Sequence, residues 1–205
     1  MNLKKTSLIF ALALSLGIIV NASQGGENMA KLKGKKAVMI IAEKNFRDEE
    51  LFEPKKILEA EGVKVIVAST SFNIARGMLG GKVKPDMLLS EIKVDDYDAI
   101  IFVGGSGASQ YWNDSLAHNI AKEAVEKNKV LGAICIAPVT LANAGVLRGK
   151  KATVWPSERG KIEARGAIYT GESVQIEGKI ITAEGPQAAR KFGEAIAKAL
   201  SNNRD

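Results

Sequence analysis

Four short, mostly apolar runs constrain the fold more than any other feature of the 205-residue chain. They are residues 37–42 (AVMIIA), 63–68 (VKVIVA), 98–103 (DAIIFV) and 130–134 (VLGAI). Runs of this length, rich in Val and Ile and lacking strict alternation, fit strands buried on both faces of a parallel sheet. Helical spacing appears between and after them. Residues 48–61 place Leu51, Ile57 and Leu58 among charges and stop at Gly62. Residues 115–128 put Leu116, Ile120 and Ala124 on one face, and a last amphipathic segment opens at Gly185-Pro186 with Phe192, Ile196 and Leu200 as its stripe. Pro186 suits a first helical turn, where its missing N–H goes unneeded. Strands alternating with helices predict an α/β architecture, a mostly parallel sheet with helices on both faces.

The remaining segments are shorter. Residues 72–89 are glycine-rich and predict short strands and turns. Residues 138–144 predict a helix ended by Gly145, 152–155 a short strand and 157–165 a short charged helix. Residues 173–182 alternate about Glu177-Gly178, a hairpin signal.

The N-terminus reads as an export signal. Lys4 and Lys5 precede an uncharged apolar run at 8–20, and Val20-Asn21-Ala22 suits peptidase cleavage after Ala22. The expected division is a signal peptide at 1–22, a polar linker at 23–35 and one domain at 36–205. The protein is expected to be periplasmic or extracellular, with an uncleaved N-terminal anchor as the alternative. The run is short for a membrane span, so no membrane contact beyond the leader is expected. The formal charge of +6 falls to about +4 without Lys4 and Lys5. The basic residues are scattered and lack interleaved aromatics, so the sequence does not read as a nucleic-acid binder.

The chemistry concentrates at strand ends, where open parallel sheets place their reactive groups. Cys135, the chain's one cysteine, follows the fourth strand directly and precedes the helix that Pro138 can open. This is the strand–turn–helix setting of a nucleophile. A helix N-terminus there would favour thiolate; a small buried hydrophobe is the bland alternative. Gly104-Gly105 ends the third strand, where free backbone N–H groups can hold an oxyanion, or where a plain turn is all that is needed. Residues 46–54 (FRDEELFEP) carry four carboxylates. One could reach the sulfur, and a carboxyl beside a thiolate has a raised pKa. Capping and the helix dipole account equally well for an acidic helix start.

These segments together resemble the ThiJ/PfpI (DJ-1) family of the class I glutamine amidotransferase-like superfamily. Residues 133–138 (AICIAP) resemble its cysteine turn, 143–150 (NAGVLRGK) the segment that follows, and 98–105 (DAIIFVGG) its strand ending in Gly-Gly. Glu50, four residues before Pro54, matches the family's glutamate that hydrogen-bonds the cysteine. The likeness spans about residues 36–200. It implies a flavodoxin-like three-layer sandwich, usually dimeric or of higher order, in a family that includes glyoxalases, deglycases, peptidases, chaperones and oxidation sensors.

One departure matters. Protease-like members carry His directly after the cysteine, where this chain has Ile136. Others place His before a Pro on the next strand, where Trp155 precedes Pro156. The one histidine, His118, lies in a helical segment and is expected at the surface. Without a Cys–His pair, peptide hydrolysis loses its usual activation.

The expected function is therefore cysteine-dependent protection against small reactive carbonyls, of the glutathione-independent glyoxalase or deglycase kind, through Cys135 and Glu50. The Gly105 and Ile136 N–H groups would hold an oxyanion. Gly104, Trp155 and Pro138 would wall the pocket; a core or interface role is the alternative for Trp155. An oxidation sensor or chaperone-like protein without fast turnover is the alternative, and a peptidase or amidase ranks lower. A small aldehyde or an oxidant is the expected ligand. No cofactor and no metal site are expected, since one His and one Cys give no soft ligand set.

Overall fold

The computed structural model describes residues 31–202; the expected signal peptide and most of the expected linker lie outside them. Twelve strands follow in chain order. They are β1 (Lys36–Ile40), β2 (Lys44–Phe46), β3 (Lys64–Ser69), β4 (Ala75–Gly77), β5 (Lys82–Val83), β6 (Met87–Leu88), β7 (Ala99–Phe102), β8 (Val130–Ile134), β9 (Lys151–Ala152), β10 (Ile168–Tyr169), β11 (Val174–Glu177) and β12 (Ile180–Ala183). The α-helices are α1 (Asp48–Ala60), α2 (Ser115–Glu126), α3 (Pro138–Asn143), α4 (Arg159–Glu163) and α5 (Ala189–Ser201).

Seven strands form the central sheet in the order β11-β12-β8-β7-β1-β3-β6. Every neighbouring pair is parallel except β11 with β12, the hairpin read from the sequence. The four apolar runs thus become β1, β3, β7 and β8, and β1, β7 and β8 hold the middle. One face is covered by α1 and α5, whose Leu51, Leu58, Phe192, Ile196 and Leu200 pack with Met39 and Ile101. The other is covered by α2 and α3, through Ile120, Ala121, Ala124, Val139 and Leu141. Phe192, Ile196 and Leu200 are fully buried, each stabilising the fold by roughly 1.5–3 kcal/mol. This is the flavodoxin-like sandwich.

Two details differ from the sequence reading. Leu116 is exposed, and Ala117, Ile120, Ala121 and Ala124 form the buried face of α2 instead. The small alanines let this helix sit close to β7 and β8. The end of the expected linker is packed, not free: Leu32 is buried and its N–H donates to the Glu61 carbonyl at 3.0 Å.

Candidate active site

Cys135 stands at the end of β8 with φ +63°. A left-handed backbone at a non-glycine residue is uncommon and costs free energy, so its surroundings must enforce it. Three hydrogen bonds do so. The Cys135 N–H donates to the Ala183 carbonyl at 2.9 Å, and the Cys135 carbonyl accepts from the Trp155 N–H at 2.8 Å. The carbonyl of the next residue, Ile136, accepts from Trp112 Nε1 at 3.1 Å. The turn is therefore tied to β12, to the segment after β9 and to the stretch before α2.

The backbone N–H groups of Gly105 and Ile136 both address the Cys135 sulfur. Gly105 has φ +91°, and a side chain there would run into the Arg47 N–H and the Phe46 carbonyl carbon. Only glycine lets the end of β7 meet the start of α1 and still turn its N–H to the sulfur. The Arg47 N–H closes that junction, donating to the Gly104 carbonyl at 3.0 Å.

The acidic start of α1 divides its work. Asp48 accepts from the N–H groups of Leu79 and Gly81 at 2.8 and 2.7 Å. Glu49 takes both Nε and Nη2 of Arg47, at 2.8 and 3.0 Å. Glu53 is exposed. Glu50 turns toward the sulfur, with no exposed surface. Neither of its carboxyl oxygens has a well-formed hydrogen bond. Its polar neighbours are the Cys135 sulfur and the Gly104 N–H, in looser contact. An ionised carboxylate so poorly solvated is costly, and burial accordingly pushes Glu50 up to about 8.

The thiol is pushed up as well, to about 12, first by burial and then by the Glu50 charge; the Gly105 and Ile136 N–H groups pull the other way. This corrects the expectation of a thiolate favoured by a helix end. The helix that follows, α3, has six residues, and the loss of solvent around a cysteine residue only 9% exposed outweighs it. Burial thus raises both groups and favours the neutral carboxyl beside the neutral thiol.

A cavity of about 600 Å³ opens above the pair. Cys135, Glu50, Gly105, Ile136 and Trp155 line it, as do Arg47, Met78 and Trp112. Ser106, Ser109, Ser157, Glu158 and Gln187 add polar groups. Two expected wall residues sit behind it: Gly104 lies under the pair, and Pro138 is buried in the first turn of α3. His118 lies away from the cavity lining, half-buried, with Nε2 2.8 Å from the Trp112 carbonyl oxygen. Among the described residues no group of three or more His, Cys, Asp and Glu side chains could hold a metal ion. No helix among them is long and apolar enough to cross a membrane.

Sequence reasoning missed Arg47, Met78, Trp112 and Glu158. Trp112 carried the one available signal, as the first of only two tryptophans, lying just past the Gly-Gly strand end.

The comparisons agree with this fold. An uncharacterised protein of Methanocaldococcus jannaschii is 44% identical over 97% of both chains. A protein of Pyrococcus abyssi named as a deglycase is 30% identical, covering 73% of this chain and 90% of its own. A Caenorhabditis elegans protein named as a glutathione-independent glyoxalase is 26% identical over 81% of this chain and 89% of its own. The crystal structure of a ThiJ/PfpI domain protein from Brachyspira murdochii superposes with a TM-score of 0.81 at 34% identity, covering 83% of this chain and 98% of that one. The family model for DJ-1/PfpI matches residues 35–199, which contain the whole sheet and every residue of the cavity. The chain belongs to the DJ-1/PfpI family.

Proposed function

We propose that the protein converts small reactive 2-oxoaldehydes to 2-hydroxy acids, with Cys135 as nucleophile and Glu50 as the group that moves protons. The observation that carries this is the buried Glu50 carboxyl, without a well-formed partner, set against the only thiol of the chain on the floor of an open cavity. The relatives named as deglycase and glyoxalase support the same class of chemistry.

The steps balance with water as the only co-reactant. Sulfur bonds to the aldehyde carbon while the carbonyl π pair moves to oxygen, which takes the proton given up by sulfur. The Gly105 and Ile136 N–H groups can stabilise the negative charge that develops meanwhile. Glu50 as carboxylate removes the hydrogen on that carbon as a proton and delivers it to the neighbouring carbon, while the hydroxyl proton on the first carbon's oxygen passes to the neighbouring carbonyl oxygen, which becomes the 2-hydroxyl. Two electrons thereby shift from the first carbon to the second and leave a thioester. Water splits the thioester, giving the acid and restoring the thiol.

Lactate formation from methylglyoxal by the full chain tests the reading. Cys135→Ala and Glu50→Gln should each lose at least about a hundredfold in rate. Lactate production unchanged in both variants rejects it. The export signal read at 1–22 would place this activity outside the cytoplasm, which cell fractionation with an antibody to the chain would check.

A further inference from the structure

The cavity is far larger than a three-carbon dicarbonyl needs. At about 600 Å³ it lies in the range of about 300–1,000 Å³ that accommodates drug-sized ligands. Its walls beyond the Cys135–Glu50 floor are mixed: Arg47, Ser106, Ser109, Ser157, Glu158 and Gln187 bring polar groups, while the greater part of the exposed lining is apolar. Trp112 and Trp155, the only two tryptophans of the chain, both line it, and Met78 joins them.

Each of these walls is held in place. The Trp112 ring is fixed by its Nε1 bond to Ile136 and by the Lys161 ammonium, 5.0 Å from the ring centroid. Lys161 is itself paired with Glu158. The Trp155 ring lies against Gly185, where a Cβ would come within 2.8 Å of two ring carbons. It nevertheless stays 39% exposed, so an indole surface is left facing outward without a partner. Met78 belongs to the Gly77–Gly81 loop that Asp48 clasps. Any side chain at Gly77 or Gly81 would collide with the Asp48 carboxylate. Rigid aromatic walls beside an adaptable methionine suit a planar apolar group.

We infer that the preferred substrate is a 2-oxoaldehyde bearing an aromatic or similarly broad apolar substituent, seated against Trp155, Trp112 and Met78 while its aldehyde carbon meets Cys135. The inference rests on the proposed function for its chemistry, but the apolar subsite can be tested by binding alone.

Phenylglyoxal and methylglyoxal are the turnover probes, and acetophenone, which has the ring and a ketone but no aldehyde, is the binding probe. Phenylglyoxal should exceed methylglyoxal in kcat/KM by at least about tenfold, as expected when an apolar pocket is filled instead of left empty. Trp155→Ala should lower that selectivity ratio by about tenfold, and Trp155→Phe should restore most of it. Equal kcat/KM for the two substrates, or a ratio unmoved by Trp155→Ala, overturns the inference. In parallel, acetophenone should change the intrinsic tryptophan fluorescence of the full chain saturably and slow alkylation of Cys135 by iodoacetamide. Trp155→Ala should weaken both effects. If neither aldehyde is turned over, the proposed function fails, and acetophenone binding sensitive to Trp155 still upholds the subsite. Absence of acetophenone binding overturns it.

Discussion

The Glu50 carboxyl and the Cys135 side chain meet over the same glycine. A Cβ built on Gly104 would lie 2.5 Å from Cys135 Cβ and closer still to Glu50 Oε2. Two elements distant in sequence, the first turn of α1 and the end of β8, thus converge on a spot that stays open only because Gly104, two residues past β7, has no side chain.

Filling that spot is the most direct perturbation of the pair. Gly104→Ala would also press within 2.6 Å of the Ile134 carbonyl oxygen. Overpacking of this kind costs typically about 1–3 kcal/mol. The variant should show a lower denaturation midpoint together with a loss of the activity that Cys135 and Glu50 support. A variant of native midpoint and full activity would mean that the pair does not depend on this close approach.

After burial, the charge on Glu50 is the main brake on ionisation of the sulfur. The Glu50 carboxylate raises the thiol pKa, so removing it should lower that pKa and increase the thiolate fraction. Glu50→Gln is expected to react faster with iodoacetamide than the native protein at pH 9–10, roughly tenfold for each pKa unit removed. At pH 6–7, where Glu50 holds its proton, the difference should shrink. Faster alkylation with absent turnover would separate Glu50's proton-moving role from its electrostatic one.

Stability should fall as pH rises through the same window. Glu50 ionises near 4.5 when free and near 8 in the folded protein. Between those values the unfolded chain loses a proton that the folded chain keeps, so its contribution is fully favourable below 4.5 and is lost progressively up to about 8. The span corresponds to at most about 4–5 kcal/mol. Measured against the native protein, Glu50→Gln should gain in melting temperature from pH 4.5 to 8.5. A constant gap across that range contradicts a carboxyl kept neutral by burial.

Asp48 acts at a distance from the sulfur. Asp48→Ala leaves the N–H groups of Leu79 and Gly81 without their acceptor, a loss of about 1–3 kcal/mol for each one left buried and unpaired. The loop tip is already exposed, with Leu79 at 62%. Limited proteolysis should therefore cut near Gly80 in the variant while the native chain resists, and reverting the substitution should restore resistance.

Much of this architecture is legible in the sequence because burial on both faces of a sheet imposes an unbroken apolar run. That pattern gave β1, β3, β7 and β8, and with them the strand ends that carry Gly105 and Cys135. Glu50 could be singled out from its three acidic neighbours only through the family likeness. Helical periodicity cannot tell which carboxylate of a first turn faces a sulfur on another strand. The ionisation of Cys135 was misread because proximity to a helix start is visible in sequence and desolvation is not. Leu116 failed for a related reason, since spacing defines a helical face without stating which of two adjacent faces meets the sheet. Trp112, Met78 and Glu158 arrive from loops and from a short helix whose positions depend on tertiary contacts alone.

The bond from the Trp155 N–H to the Cys135 carbonyl has one more consequence. That carbonyl belongs to the same peptide unit as the Ile136 N–H, so one planar amide is gripped at its oxygen while its hydrogen faces the sulfur. The anion-facing half of the site is accordingly encoded in main chain, which substitutions at Trp155 or Ile136 other than proline leave chemically in place. Variation among descendants of this chain can then remodel what enters the cavity, one indole or thioether at a time, without disturbing the N–H group that faces the sulfur.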